Sequence, residues 1–171
     1  MTSLVVTRWY RSPELLYGAK HYGVGVDTWS IGCILCEMIK REPLFPGTAD
    51  LDQLSKIFSI RGTPTIDDWP GMDQLPDFIT FKEFPKINLA SLFSAAPKNM
   101  ISLMEGLLAC NPNKRLSSTQ ALKHEYFFSQ PHPTPPHMLV LNSCNQSQPV
   151  SIKPVKRSFT EFSTVNKRIK F

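Results

Sequence analysis

A chain of 171 residues with 42% hydrophobic content is long enough for one domain with a buried core. Its net charge of +5 is uneven: residues 1–129 hold 13 basic and 13 acidic side chains, whereas residues 130–171 hold six and one, so the basic balance describes a tail and gives no evidence of a nucleic-acid surface on the first part. Cys33, Cys36, Cys110 and Cys144 have the spacing of neither a disulfide framework nor a zinc site, which fits a reduced, intracellular protein.

The start, Met1-Thr2-Ser3, lacks the basic and apolar regions of a secretory signal. Residues 1–22 read as extended and polar–aromatic. Ser12 precedes a proline and is biased away from helix, and a short helix is expected from Pro13 to Tyr17.

The stretch from Val24 to Ile39 predicts the central helix. No residue between Asp27 and Glu37 carries a charge, and the apolar positions leave no polar stripe of useful width, so other elements should wrap it. Gly23-Val24-Gly25 reads as a turn before it. Asp27 can cap its orphan N–H groups, Lys40 and Arg41 suit its negative end, and Pro43 stops it. At 16 residues it falls short of the roughly 20 that a membrane span needs. Cys33 and Cys36 form a C-x-x-C on this helix, read as a core pair one turn apart.

Leu51, Leu54, Ile57 and Phe58 recur at helical spacing, with Thr48 as a cap and Gly62 and Pro64 as the end. Residues 63–96 are rich in proline and aromatics and read as an ordered insert, because a structureless loop that long is unusual in a compact domain. Pro97 suits the first turn of another helix, whose buried face is Met100, Ile101, Met104, Leu107 and Leu108 and whose end is Asn111-Pro112. Ser117 and Gln120 offer a capping box for a last short helix to about His124, which Tyr126, Phe127 and Phe128 should pin. Pro131, Pro133, Pro135 and Pro136 favour an extended run, and residues 130–171 are expected to be mostly disordered. There is no strand pattern and no repeat. The expected fold is mainly α: a helical bundle with an irregular insert.

These landmarks, in this order, resemble the C-terminal lobe of a eukaryotic protein kinase. Ser12-Pro13-Glu14 looks like the A-P-E motif that closes the activation segment, with serine for alanine. Asp27-Thr28-Trp29-Ser30-Ile31-Gly32 looks like the D-x-W-S-x-G that begins the buried central helix. Arg115 sits where the family has the arginine that pairs with the A-P-E glutamate, here Glu14. Val5-Val6-Thr7-Arg8-Trp9-Tyr10-Arg11 is similar to cyclin-dependent kinases just before A-P-E, and residues 63–96 fall where that group carries its insert. Asp50-Leu51-Asp52-Gln53-Leu54, Phe81-Lys82-Glu83-Phe84-Pro85 and Phe93-Ser94-Ala95-Ala96 bring the likeness nearest to the branch that activates other cyclin-dependent kinases within general transcription factor TFIIH.

The resemblance implies a partial kinase domain over residues 1–129, with the insert at 63–96 and a tail from 130 to 171. It implies that Val6 shapes the pocket for the residue after the phosphoacceptor, that Thr7 contacts the catalytic aspartate, and that Arg11 helps hold the pocket; the plainer alternative is that the three only pack the lobe. Asp27 would anchor the catalytic loop, or simply cap its helix. Thr2 falls where these kinases carry an activating phosphothreonine. Phosphoryl transfer needs a Gly-rich loop, a strand lysine, an H-R-D-x-x-x-x-N loop and a D-F-G, and none occurs in the sequence. The N-lobe and catalytic loop are therefore expected to be absent, with no catalytic residue, no metal site and no cofactor in this chain, although the full-length family uses ATP and Mg. The chain alone should be inactive.

Three functions are open at this point. The first is a fragment of a nuclear serine/threonine kinase that phosphorylates Ser/Thr-Pro sites in the RNA polymerase II repeats and in cell-cycle kinases, with a cyclin and an assembly factor of the TFIIH kinase module as partners. The second is a non-catalytic C-lobe that docks kinase partners or substrates. The third, weaker, is a nucleic-acid binder acting through the tail. Lys156-Arg157 with Lys167-Arg168 could form a split nuclear-import signal, and Thr134-Pro135 a proline-directed phosphosite. A surface exposed around Trp29 and Thr7 should leave the fold marginal and prone to aggregate.

Overall fold

A computed structural model describes residues 8–132, together with Thr134, Pro135 and Met138. Thr2, Val6, Thr7 and both basic pairs of the tail lie outside the described residues. The described residues up to His132 form one unit. Among the described residues there are six α-helices, α1 (Pro13–Leu16), α2 (Gly25–Lys40), α3 (Asp50–Arg61), α4 (Leu89–Leu92), α5 (Lys98–Leu107) and α6 (Ser118–Leu122), with 3-10 turns at Met72–Gln74 and Glu125–Phe128. Among the described residues there is no strand, and no helix is long and apolar enough to cross a membrane.

Helix α2 packs on α5 through Gly32. A Cβ at that position would meet the Leu108 side chain at 2.9 Å, so the glycine sets how closely the two helices approach. Trp29, Cys33 and Cys36 fill the buried side, and the Trp29 ring stacks on Phe45 at 5.9 Å. Two expectations need correcting here. The helix is not wrapped all round: Ile31, Ile34 and Met38 are 53%, 48% and 67% exposed, spaced at three and four residues along one face. Trp29 is fully buried, so the bare surface lies on that face and not around the indole.

The helix ends also differ from expectation. Asp27 makes no cap: Val24 precedes the helix, and Asp27 sits exposed in its first turn, where its charge suits the positive end of the dipole. Arg41 ends the helix in the left-handed conformation, φ 65°, with its N–H donating to the Glu37 carbonyl. At α3 the expected cap is reversed. Thr48 does not accept from the helix; its N–H and hydroxyl donate to Asp52 Oδ2 at 2.8 and 3.0 Å. Gly62, φ 82°, closes α3 as predicted.

The insert is ordered and held by its aromatics. Tyr17 is the hub, with the rings of Phe58, Trp69, Phe78 and Phe81 5.5 to 6.5 Å away. Thr63 ties the start of the stretch to residues 82–84: its hydroxyl donates to Lys82 O and accepts from Phe84 N–H, while its own N–H donates to Phe84 O. Pro97 precedes α5 instead of starting it, and Leu103 joins the buried face while Met100 is only half-buried. The capping box of α6 forms as read from Ser117 and Gln120. The aromatics after it do not bury: Phe127 is 43% and Phe128 70% exposed.

Candidate functional site

Residues 8–14 are laid against α2 and α3 by one bond after another. Arg8 Nε donates to Asp50 Oδ1 at 2.8 Å and Nη1 to Thr48 O at 3.1 Å. Arg11 Nη1 reaches the same Asp50 oxygen at 3.5 Å. The Trp9 indole N–H donates to Gly47 O at 2.9 Å. Tyr10 is fixed at both ends, its hydroxyl donating to Glu37 Oε2 at 2.7 Å and its carbonyl accepting from Ser30 Oγ at 2.8 Å. The bond to Glu37 is also the main reason the Tyr10 phenol is raised above its ordinary value.

Gln53 is the support that sequence reasoning missed. Its side chain is fully buried, yet both ends are satisfied: Nε2 donates to Trp9 O at 3.2 Å and Oε1 accepts from Gly47 N–H at 2.8 Å. A buried amide without those partners would be costly. The signal was available, since Gln53 lies beside Leu54 and one turn before Ile57, on the inward side of α3. A Cβ on Gly47 would come within 2.6 Å of the Gln53 Cα, which is why a glycine stands there.

At the end of the segment, Pro13 occupies the first position of α1 and Glu14 the second. Glu14 and Arg115 meet. Nη1 donates to Oε1 at 2.7 Å and Nη2 to Oε2 at 2.8 Å, with the Arg115 side chain fully buried. The other three guanidinium N–H groups donate to the carbonyls of Gly25, Ala109 and Cys110, so all five donors are used. The guanidinium also lies 5.1 Å from the centre of the Trp29 ring. One side chain thus joins α1, the start of α2 and the α5–α6 connection.

Arg11 is therefore placed on Asp50, and Asp27 stands apart, with no side-chain bond to a described residue. This arrangement binds and orients a backbone. The three described thiols are not ready nucleophiles: burial pushes the Cys33 thiol well up, the Cys36 thiol up to about 12 and the Cys110 thiol up to about 11. No group of three or more His, Cys, Asp or Glu gathers around a point among the described residues.

The family profile "Protein kinase domain" matches residues 1–127, and the chain belongs to that family. Cyclin-dependent kinase 7 of Xenopus laevis is 51% identical over 144 residues, covering 84% of this chain and 41% of that protein. Cyclin-dependent kinase 7 of Carassius auratus is 46% identical over 99% of this chain and 51% of that protein. The probable serine/threonine-protein kinase KIN28 homolog of Encephalitozoon cuniculi (strain GB-M1) is 50% identical over 79% of this chain and 44% of that protein. The chain thus spans about half, or less, of the length of these relatives.

Proposed function

We propose that this chain is the C-terminal, substrate-facing part of a cyclin-dependent serine/threonine kinase. The observation that carries the reading is the Glu14–Arg115 clamp, which fixes the end of the 8–14 segment to the helical body. Val6 and Thr7 directly precede Arg8, which Asp50 holds, so a pocket for the residue after the phosphoacceptor would be carried on a fixed base. Arg11 steadies that base. Asp27, exposed in the first turn of α2, keeps its carboxylate available to anchor a catalytic loop, and Thr2 is the activating phosphosite.

The described residues do not fit ATP and Mg. The two arginines of the segment, Arg8 and Arg11, are both held by Asp50, and among the described residues no cluster of acidic side chains is placed to hold a cation. No step through nucleotide is assigned to this chain. Its residues bind and orient a protein substrate, and the transfer chemistry belongs to parts beyond it. The relatives named cyclin-dependent kinase 7 support the cyclin-dependent kinase part of this reading. The family resemblance extends the proposal to a nuclear kinase with a cyclin and an assembly factor of the TFIIH module as partners, acting on Ser/Thr-Pro sites of the RNA polymerase II repeats and of cell-cycle kinases.

The test is to purify the native product with an antibody against this chain, weigh it, and assay phosphate transfer to Ser-Pro and Ser-Ala peptides. The expected result is a product of roughly 35–45 kDa that phosphorylates only the Ser-Pro peptide, while the 171-residue chain alone transfers nothing. A native product near 19.4 kDa without transfer overturns this reading. That outcome would favour the second one, a non-catalytic docking protein, for which the exposed Ile31, Ile34 and Met38 face is the supporting feature.

A further inference from the structure

Where α3 ends against the α5–α6 connection, a pocket of about 330 Å³ is lined by Arg61, Thr63, Lys86, Cys110, Asn111 and Lys114, among others. Its three cations outnumber the two carboxylates beside them, Asp68 and Glu105. Arg61 Nε donates to Leu108 O at 2.9 Å and Nη2 to Glu105 O at 3.3 Å. Nη1 is buried and has no acceptor among the described residues. The guanidinium charge therefore faces neutral carbonyls and no carboxylate. Lys114 is exposed at the rim and forms no ion pair with a described residue. Lys86 is shared with Glu105 at 3.2 Å. Asp68 is the carboxylate in the lining; Thr65 donates to it through its N–H and hydroxyl, and Lys114 acts on it through space, so Asp68 and Glu105 are the two carboxylates set against the three cations. The Cys110 thiol feels this field: burial raises it, while Arg61, Arg115 and Lys86 all pull it the other way.

The cationic pocket does not stand alone. Thr63, Pro64 and Phe84 also line a second pocket, of about 590 Å³, whose far side is formed by Phe78, Ile79 and Phe81. One wall thus separates a basic hollow from an aromatic one.

We propose that the paired pockets bind a phosphorylated peptide, with the phosphate over Arg61 between Lys86 and Lys114, and the following apolar residue or proline against Phe84 and Phe81. Arg61 lies under the floor and attracts the dianion through space, while the two ammonium groups donate the hydrogen bonds. Lys86 exchanges Glu105 for the phosphate. A single phosphate suits cations that converge on one point. A nucleic acid needs a row of them, and here the flanking pocket adds no further cation and carries Glu83. A free anion would gain nothing from the aromatic side. The proposal does not depend on the kinase reading, and its failure would leave that reading untouched.

The test uses the full 171-residue chain and fluorescence anisotropy. The probe is a labelled peptide with phosphothreonine followed by proline and leucine; its unphosphorylated twin, inorganic phosphate and a single-stranded oligonucleotide are the competitors. The twin should bind at least about tenfold more weakly, and Lys114→Glu should weaken the phosphopeptide by about tenfold. Lys114 is exposed, so an unchanged melting curve certifies that the variant folds. Ile79→Asp should weaken binding from the apolar side, and Lys86→Gln from the basic side. Equal binding of peptide and twin overturns the proposal. So does displacement by inorganic phosphate at the same concentration as the peptide, or tighter binding of the oligonucleotide.

Discussion

Arg115 closes on Glu14 with two parallel bonds of 2.7 and 2.8 Å, across 101 residues of sequence. The pair is buried, and breaking a buried pair leaves a charge with neither water nor partner. Arg115→Met should therefore destabilise the chain by about 3–5 kcal/mol in urea titration. Glu14→Leu should cost a similar amount by stranding the guanidinium. The double variant should cost clearly less than the sum, because neither charge is then stranded. A cost for Arg115→Met below about 1 kcal/mol would place the pair among ion pairs that contribute little.

The cysteines give a second prediction. Cys33 and Cys36 face the core, and their thiols are pushed up chiefly by burial, so neither offers a thiolate near neutral pH. Cys110 is held up for the same first reason. Iodoacetamide at neutral pH should leave all three unmodified in the folded chain and modify them in urea, read by peptide mass spectrometry. Fast labelling of Cys33 or Cys36 in the folded state would contradict a core pair.

Acid sensitivity follows from two threonine–aspartate pairs. The backbone N–H of Thr48, then its hydroxyl, hold the Asp52 carboxyl below its ordinary 3.8, and the hydroxyl and N–H of Thr65 do the same for Asp68. A carboxyl with a depressed folded value contributes stability that is present above its ordinary value and lost as pH falls through the folded one. Stability should thus drop as pH falls below about 4. Asp52→Asn should be less stable than the parent at neutral pH and converge with it in acid. Parallel curves for the two proteins down to low pH would remove Asp52 from the account.

How much of this was legible in the sequence depends on the kind of signal. Local chemistry was plain: the Ser117–Gln120 box, the Gly62 stop and the α2 span form as read. Helix ends decided by competition were not. Asp27 and Thr48 are residue types that cap, but each stands where another arrangement satisfies the chain, and propensity alone cannot rank the two. The Glu14–Arg115 partnership came from resemblance, since no local pattern links residues that far apart. Gln53 and Asp50 were missed as supports for residues 8–11 because a polar residue near an apolar stripe reads first as solvent-facing. The exposed face of α2 was misread because an all-apolar helix shows which surfaces want cover and not which of them receive it.

That face carries the last prediction. Ile31, Ile34 and Met38 line the same apolar groove as Leu103, Leu107 and Phe127, about 520 Å³ in volume. An apolar groove open to water favours association of whatever copies are present. The 171-residue chain should therefore self-associate as its concentration rises, seen by sedimentation velocity. Replacing Ile31, Ile34 and Met38 together with glutamine should return it to a monomer. The melting temperature should change little, because these side chains already face solvent and their replacement removes few core contacts. Self-association that persists in the triple variant would move its cause to another surface, such as the exposed Phe128. A large loss of melting temperature would mean that the face is covered in the folded chain after all.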